Sequence, residues 1–453
     1  MESKKNNAII ALLFVGVLMG ALDISIVGPA LPSIESSLQI GARYSGWIFS
    51  IYVLFNLIGI SLFARLSDIY GRRNIYVWAL AIFALGSLTV SLSHNFEFLL
   101  IGRAIQGFGA SGIFPVATAL VGDLFPVERR GRVLGLIGAV FGLAFMIGPF
   151  LAGALLHYFQ WHVLFIINMP VSLILIYYSF KILPSKTETN VSRIDWGGII
   201  TLGISLAAFT FGINNLNGLD WQTDITNVKV ILPLSVAFVS ALMLLVIERR
   251  DKNPIIKFSF FRNRQIIIVG IIAVVTGIVQ ACFVFIPKFV VHNFSVDPST
   301  ASFMLTPFVV ATAVGSPVFG RLIDKYGVKS IIFTGLVLLS AGFFMLSQTG
   351  HILSLYYISG VFVGLGLSIL SGSSLRYIML NQTSAEDRAI SQGMLTIFIS
   401  IGQLTGSAVI GILLADSTDS KAFIPVFAGL AALLFVMIFV SFGLDNARKI
   451  QRY

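Results

Sequence analysis

Phe63-Ala64-Arg65-Leu66-Ser67-Asp68-Ile69-Tyr70-Gly71-Arg72-Arg73 returns later in the chain as Phe319-Gly320-Arg321-Leu322-Ile323-Asp324-Lys325-Tyr326-Gly327-Val328-Lys329, with Asp68 and Asp324 256 residues apart. Each copy is a short charged break between long apolar runs. Six helices between the copies would take about 43 residues each, whereas eight would take about 32, nearer one membrane crossing plus a short loop. The repeat therefore predicts two similar six-helix bundles with two further helices inserted between them.

Composition agrees with lipid as the solvent. Of 453 residues, 57% are hydrophobic and 11% charged, with mean hydropathy +0.92, against about 25% charged in soluble domains. Fourteen stretches approach the roughly 20 apolar residues of a spanning helix, the first over about 8–32 and the last over about 422–443. The predicted fold is all-α and integral to the membrane, with residues 1–190 as an N-terminal bundle, 191–254 as two inserted helices and a linker, and 255–453 as a C-terminal bundle. Parallel repeats of this kind place a substrate cavity between the bundles near the midplane, opened to alternate sides by rocking.

The net charge of +10 is dispersed over the breaks, so it reports topology and no nucleic-acid surface. With the N-terminus on the cytoplasmic side, only Arg43, Lys229, Lys288 and Lys421 fall outside. The positive-inside bias then expects a multi-pass protein of the cell membrane with both termini cytoplasmic. A single cysteine, Cys282, excludes an internal disulfide and a cysteine metal site. No nucleophile with a base, and no ligand cluster, is placed at membrane depth, so an enzyme is not expected.

Away from the span ends the sequence places one acid and one base in the membrane, Asp23 and Arg103. Counting about 1.5 Å per residue puts them roughly 13 and 9 Å deep, close enough to meet. Intramembrane ions usually face a cavity or each other and mark ion pathways, so Asp23 is the expected proton carrier and Arg103 the residue that tunes it and holds it between loads; the alternative is a structural pair that locks two helices. Asp68 and Asp324 are expected to accept amide hydrogens at the starts of the following helices, with Arg72, Arg73 and Lys329 reaching carbonyls or lipid phosphate. Gly71 and Gly327 suggest tight turns. Gly135, Gly138, Gly142 and Gly153 with Pro149 give the fifth helix a small face and a bend. Asn56, Gln106, Asn168, Gln280 and Gln403 are candidate cavity groups, with Tyr52, Phe283 and Phe285 as aromatic walls; each also suits interhelical bonding or packing.

Several of these segments together resemble the major facilitator superfamily, in particular its fourteen-helix drug:proton antiporter branch. The loop copies are similar to the family's G-x-L-x-D-R/K-x-G-R/K-R/K signature, with Gly320, Asp324, Lys325, Gly327 and Lys329 in the second copy. The first copy keeps Asp68, Gly71, Arg72 and Arg73 but has Ala64 and Ile69 where the signature has glycine and a basic residue. Leu22-Asp23-Ile24-Ser25-Ile26-Val27-Gly28-Pro29-Ala30-Leu31-Pro32 is similar to the branch's first-helix L-D-x-T-x-V-N-x-A-L-P, and Arg103-Ala104-Ile105-Gln106-Gly107-Phe108-Gly109-Ala110 to its fourth-helix R-x-x-Q-G-x-G-A. Gly135, Gly148, Pro149 and Gly153 stand at positions of the exporter signature of the fifth helix.

The resemblance implies an antiporter that uses the proton gradient and no bound cofactor; nothing in the sequence requires more than one copy, so a monomer is expected. Its partners are protons, membrane lipid and a lipophilic small molecule, cationic or neutral. It also implies that the charged loops latch the inner face and that the fifth helix seals against leak. An uptake symporter of the same fold and a non-transporting receptor are the alternatives.

Overall fold

The computed structural model describes residues 2–125, 127–185, 195–216, 226–249, 257–384, 387–414 and 420–445; the side chains of some helical residues, Asp324 among them, fall outside that set. Lipid offers no partner for a free backbone amide, so each crossing closes its hydrogen bonds internally as a helix. All fourteen predicted stretches are helical. In chain order they are α1 (Glu2–Leu38), α2 (Ala42–Tyr70), α3 (Arg72–Ser91), α4 (Phe96–Leu124), α5 (Val127–Tyr158) and α6 (Val163–Ile182). Next come α7 (Trp196–Asn214), α8 (Val228–Glu248), α9 (Arg264–Phe294) and α10, in two segments Pro298–Met304 and Thr306–Tyr326. The last four are α11 (Val328–Ser347), α12 (Leu353–Asn381), α13 (Arg388–Leu413) and α14 (Phe423–Ser441). Among the described residues thirteen helices are long and apolar enough to cross a membrane, and the described apolar part of α5, Ile147–Tyr158, is a shorter one.

Helix ends carry their own signals. Asn95, Asp195, Asn263 and Asp297 each accept a backbone N–H at the start of α4, α7, α9 and α10. Gly71 at φ 90° and Gly327 at φ 84° separate α2 from α3 and α10 from α11, a backbone region that side-chain-bearing residues rarely adopt.

The helix pairings repeat. α3 packs on α4, α2 on α4, α1 on α5 and α3 on α6; in the second half α11 packs on α12, α10 on α12, α9 on α13 and α11 on α14. Each pairing is shifted by eight helices, the number inferred from the spacing of the loop copies. The match extends to single contacts. Gly107 of α4 lies against the carbonyl of Tyr52, and Gly364 of α12 lies against the carbonyl of Phe308, the residue 256 positions beyond Tyr52. The inserted α7 and α8 pack on each other, and α7 covers the seam between α2 and α13. Only 22% of the most apolar window of α8 is buried, against 67% for α9, which puts α8 at the lipid and α9 at the centre.

The two halves meet at one end. We call the end that carries the loop copies the basic face and the opposite end the far face. In the far half, Lys288 Nζ of α9 lies 2.6 Å from Glu35 Oε2 of α1, and the hydroxyls of Ser50 (α2) and Ser407 (α13) share a hydrogen bond of 2.5 Å. Ser299 of α10 donates to the Gly153 carbonyl of α5 at 2.6 Å, and Phe150 meets Phe303. Gly28 of α1 sits against the backbone of Val284 in α9.

Towards the basic face the same two helices part. Ala11, Val15, Leu18, Leu22 and Ile24 form a partly open stripe on α1, and Ile267, Ile271, Val274, Ile278 and Gln280 form its copy on α9, each 256 residues on. Beyond these stripes, residues 25–31 of α1 are all buried. The contacts between the halves named here therefore lie in the far half, and the partly open residues of α1 and α9 towards the basic face are almost wholly apolar.

Glu35 and Lys288 are 12% and 7% exposed, and removing one partner of a buried pair costs about 3–5 kcal/mol. With a cysteine placed at Ser50 in a Cys282→Ser background, adding Glu35→Gln is expected to raise labelling by a membrane-impermeant maleimide from the far face by about tenfold or more. An unchanged rate would mean that other contacts hold this face shut.

Candidate functional site

The two intramembrane ions meet. Arg103 Nη1 donates to Asp23 Oδ2 at 2.7 Å, and both side chains are fully buried. The pair sits inside the first bundle and away from lipid, because α4 carries Arg103 one turn from Gln106 on the face turned to α1. Gln106 Nε2 donates to Asp23 Oδ1 at 2.6 Å and to Ser87 Oγ of α3 at 2.8 Å, while its own Oε1 accepts from Arg103 Nη1 at 2.6 Å. Asn168 Nδ2 of α6 donates to Asp23 Oδ1 at 3.0 Å. Arg103 Nε donates to the Ile48 carbonyl of α2 at 3.2 Å, and its guanidinium carbon stands 4.2 Å from the centre of the Tyr52 ring. Five helices of one bundle thus converge on this cluster, and the carboxylate accepts three hydrogen bonds, as burial of an ion requires, while Arg103 Nη2 is buried with no partner among the described residues.

Glycines make this convergence possible. A side chain at Gly86 would collide with the backbone of Gln106, one at Gly102 would stand 2.7 Å from the Val90 amide nitrogen, and one at Gly107 would meet the Tyr52 carbonyl. α2, α3 and α4 therefore run in backbone contact, which fixes the reach of Arg103 and Gln106.

The structure revises part of the expected cavity. Gln106 is fully buried and Asn168 is 5% exposed, so both belong to the Asp23 cluster and neither lines the open space. Tyr52 likewise stacks under Arg103 and is 2% exposed, and Phe285 is buried. Asn56 is half-buried and donates to the Gly107 carbonyl at 3.3 Å. Gln280 and Gln403 are half-buried and joined: Gln403 Nε2 donates to Gln280 Oε1 and Gln280 Nε2 to Ser371 Oγ, each at 2.8 Å. Phe283 is half-buried and meets Phe308 edge-on.

The loop charges also differ from expectation. Asp68 lies in the last turn of α2 and does not cap α3, whose start at Gly71 has no side-chain cap. Instead Arg72 joins Asp68 at 2.6 Å, Asp123 at the end of α4 at 3.0 Å and Ser67 Oγ at 2.6 Å. The turn at Gly71 aims Arg72 back between two helix ends, where Asp68 and Asp123 of the same bundle pair with it. Asp123 was not singled out in the sequence because it reads there as one more charge in a loop. Arg73 lies over the Phe180 ring at 5.6 Å.

In the second copy Lys329 Nζ donates to the Phe442 carbonyl past the end of α14 at 2.8 Å, Lys325 is exposed beside Tyr326, and among the described residues a side chain at Gly320 would find only Ser373 Oγ near it, at 3.8 Å. The Asp324 side chain lies outside the described residues, as do those of several α5 residues, Gly135 included. Lys257, at the entry to the second bundle, bonds Asp387 at 2.7 Å and holds that carboxyl below the usual carboxylate range.

On α5, Gly148 and Gly153 have different neighbours. Gly148 faces Ser25 of α1, whose hydroxyl bonds the Leu22 and Ala144 carbonyls, so it packs within the first bundle. Gly153 faces Phe303 and Ser299 of α10 and belongs to the far-face closure. Pro149 is buried between them inside the helix.

Comparison with known proteins agrees with this architecture. The family model described as Major Facilitator Superfamily matches residues 13–291 and 267–452. Two curated proteins of Bacillus subtilis (strain 168) are each 30% identical to the chain: "Uncharacterized MFS-type transporter YfiU" over 407 residues and "Multidrug resistance protein 3" over 410. In both cases the match covers 88% of this chain and 78% of the relative. Among solved structures, the nucleoside transporter NupG has a TM-score of 0.68 at 15% identity, covering 97% of this chain and 98% of that one. The xylose transporter XylE from E. coli, in a partially occluded inward open conformation, has 0.67 at 11%, covering 98% and 99%. At such identities these two speak for the fold alone. With the family model spanning nearly its whole length, this multi-pass membrane protein belongs to the major facilitator superfamily.

Proposed function

We propose that the chain is a proton-coupled exporter of lipophilic small molecules, cationic or neutral, that works by alternating access. It would act as a monomer in the cell membrane with both termini cytoplasmic, and it would need no cofactor besides the proton gradient. The observation that carries this reading is the fully buried Asp23–Arg103 pair, held one residue behind the apolar wall formed by Leu22 and Ile24. The name of the relative Multidrug resistance protein 3 supports the substrate class, and the apolar stripes of α1 and α9 suit it. Export over import rests on the likeness of α5 to the exporter signature and on that name.

Protonation of Asp23 leaves its neighbours with other partners, apart from Arg103 Nη2, which has none among the described residues. When Asp23 takes a proton, Arg103 retains the Gln106 Oε1, the Ile48 carbonyl and the face of the Tyr52 ring. Gln106 and Asn168 donate to Oδ1, which still accepts hydrogen bonds as a carbonyl oxygen. The guanidinium loses one bond and keeps its place. Burial and the guanidinium act on the carboxyl proton in opposite senses, so a shift of α1 against α4 and α6 would alter which of them dominates. The gradient supplies about 1.4 kcal/mol per pH unit and about 2.3 kcal/mol per charge per 100 mV, enough to reset such a site in each cycle.

In proteoliposomes, Asp23→Asn is expected to lower pH-driven accumulation of tetraphenylphosphonium by about 100-fold, a loss of about 2.7 kcal/mol of coupling, while exchange down a substrate gradient continues. Accumulation that survives this change and still tracks the pH gradient would overturn the reading. Arg103→Lys keeps the charge but lacks the fork that reaches Asp23, Gln106 and Ile48 together. It should slow pH-driven uptake into inverted vesicles by about tenfold or more, and a wild-type rate would reduce the role of Arg103 to charge alone.

A further inference from the structure

The two halves of the repeat have exchanged polarity between core and cavity wall. In the first half the core is ionic and the wall is apolar: Asp23 and Arg103 are fully buried, while Ile24 and Ile147 are partly open. In the second half the core is apolar. Gly360, 257 residues past Arg103, leaves its space to the Phe308 ring, whose Cε2 would stand 2.6 Å from a side chain at that glycine. The residues 256 positions past Ile24 and Ile147 are Gln280 and Gln403, so the wall there is polar.

We infer that Gln280, Gln403 and Ser371 form a neutral hydrogen-bonding subsite, which takes an uncharged amide, carbonyl or hydroxyl group of the lipophilic substrate. This deepens the exporter reading and rests on it for the substrate.

The backbone fixes the geometry of the two amides. Gly277 lies against the Ile399 carbonyl, and Gly402 against that of Val274, so α9 and α13 touch main chain to main chain at this level. A side chain at Gly277 would also stand 2.9 Å from the Gln403 amide nitrogen. Helices held this close keep the two glutamines in bonding reach with little freedom to fold away, the preorganisation that a binding group needs. Their mutual bonds orient them further: Gln403 donates to Gln280, which donates to Ser371. Among the described residues this leaves one N–H on each amide and the carbonyl of Gln403 without a protein partner.

All three residues are half-buried, whereas the polar side chains around Asp23 are almost wholly closed off. Among the described residues no charged side chain bonds to the three, so they favour a neutral group over an ion. A helix-locking role would need the Gln280–Gln403 bond but not that either side chain stay half-open. Phe283, three residues from Gln280 and held edge-on by Phe308, offers an aromatic face beside the amides.

The test compares two probes that differ by one group, tetraphenylphosphonium and (4-acetamidophenyl)triphenylphosphonium, by equilibrium binding to the purified full-length protein. Wild-type protein should bind the acetamido probe more tightly. Gln403→Leu and Gln280→Leu should each raise its Kd by about tenfold, as a site built to bond a polar group does on losing a partner. The Kd for tetraphenylphosphonium should stay within about twofold, which also reports that the variants are folded. Equal weakening of both probes, or no preference in the wild-type protein, would overturn the subsite. Because the readout is binding, loss of proton coupling on its own would leave this result standing and count only against the exporter reading.

Discussion

A carboxylate shut away from water must be held by hydrogen bonds or take up a proton, and the first bundle is assembled around that requirement. α1 brings Asp23, α4 brings Arg103 and Gln106, α6 brings Asn168, α3 brings Ser87, and α2 brings the Ile48 carbonyl and the Tyr52 ring. None of these groups could reach the others if ordinary side chains stood at Gly86, Gly102 and Gly107. The glycine-rich run of α4 is thus part of the electrostatics, since helices in backbone contact shorten the distance that a guanidinium must span. Loss of any one donor would leave the ion short of a partner in surroundings that cannot replace it, so the cluster behaves as a unit.

Duplication provided the frame, and divergence divided the work. Tyr52 and Phe308 occupy the same place in the two bundles, each with its carbonyl against a glycine of the neighbouring helix. Beside Tyr52 there is a guanidinium, and beside Phe308 there is Gly360, so one bundle can hold an ion at its core and the other cannot. Backbone packing was kept where the chemistry changed. That is the pattern expected if close helix contact sets the fold while single side chains set what each half can bind.

Much of this was legible in the chain, and the reasons for the rest are physical. Span number, repeat spacing and the Asp23–Arg103 pairing follow from rules that act along one helix at a time: apolar length, charge in the breaks, and the cost of a lone ion in lipid. What was missed depends on which face of a helix meets which neighbour. Gln106 and Asn168 looked like cavity groups because an isolated amide carries no label for the side it faces. Asp68 looked like a cap until the turn at Gly71 directed Arg72 onto it. Helix ends were also read short: α1 runs to Leu38, which places Glu35 inside a helix, opposite Lys288. A span ending near residue 32 leaves Glu35 outside the helix, with no signal that it faces Lys288.

The extra length of α1 bears on how a proton could move the protein. The same helix holds Asp23 in the core of its bundle, lays Gly28 against the backbone of Val284, and ends with Glu35 paired to Lys288. From Asp23 to Glu35 is twelve residues, about 18 Å of helix. Pro29 and Pro32 lie inside the helix between these two points and each removes a backbone donor, so a displacement of α1 at the carboxylate would reach the far-face contacts through a segment that can also bend. The ionic cluster gives α1 its grip on α4 and α6, and Gly28 leaves no side chain to cushion its contact with α9. At the basic face, Arg72 pairs with Asp68 and Asp123 of its own bundle. The bonds between the bundles named here lie at the far face, and α1 is the element that touches both the Asp23 cluster and those bonds.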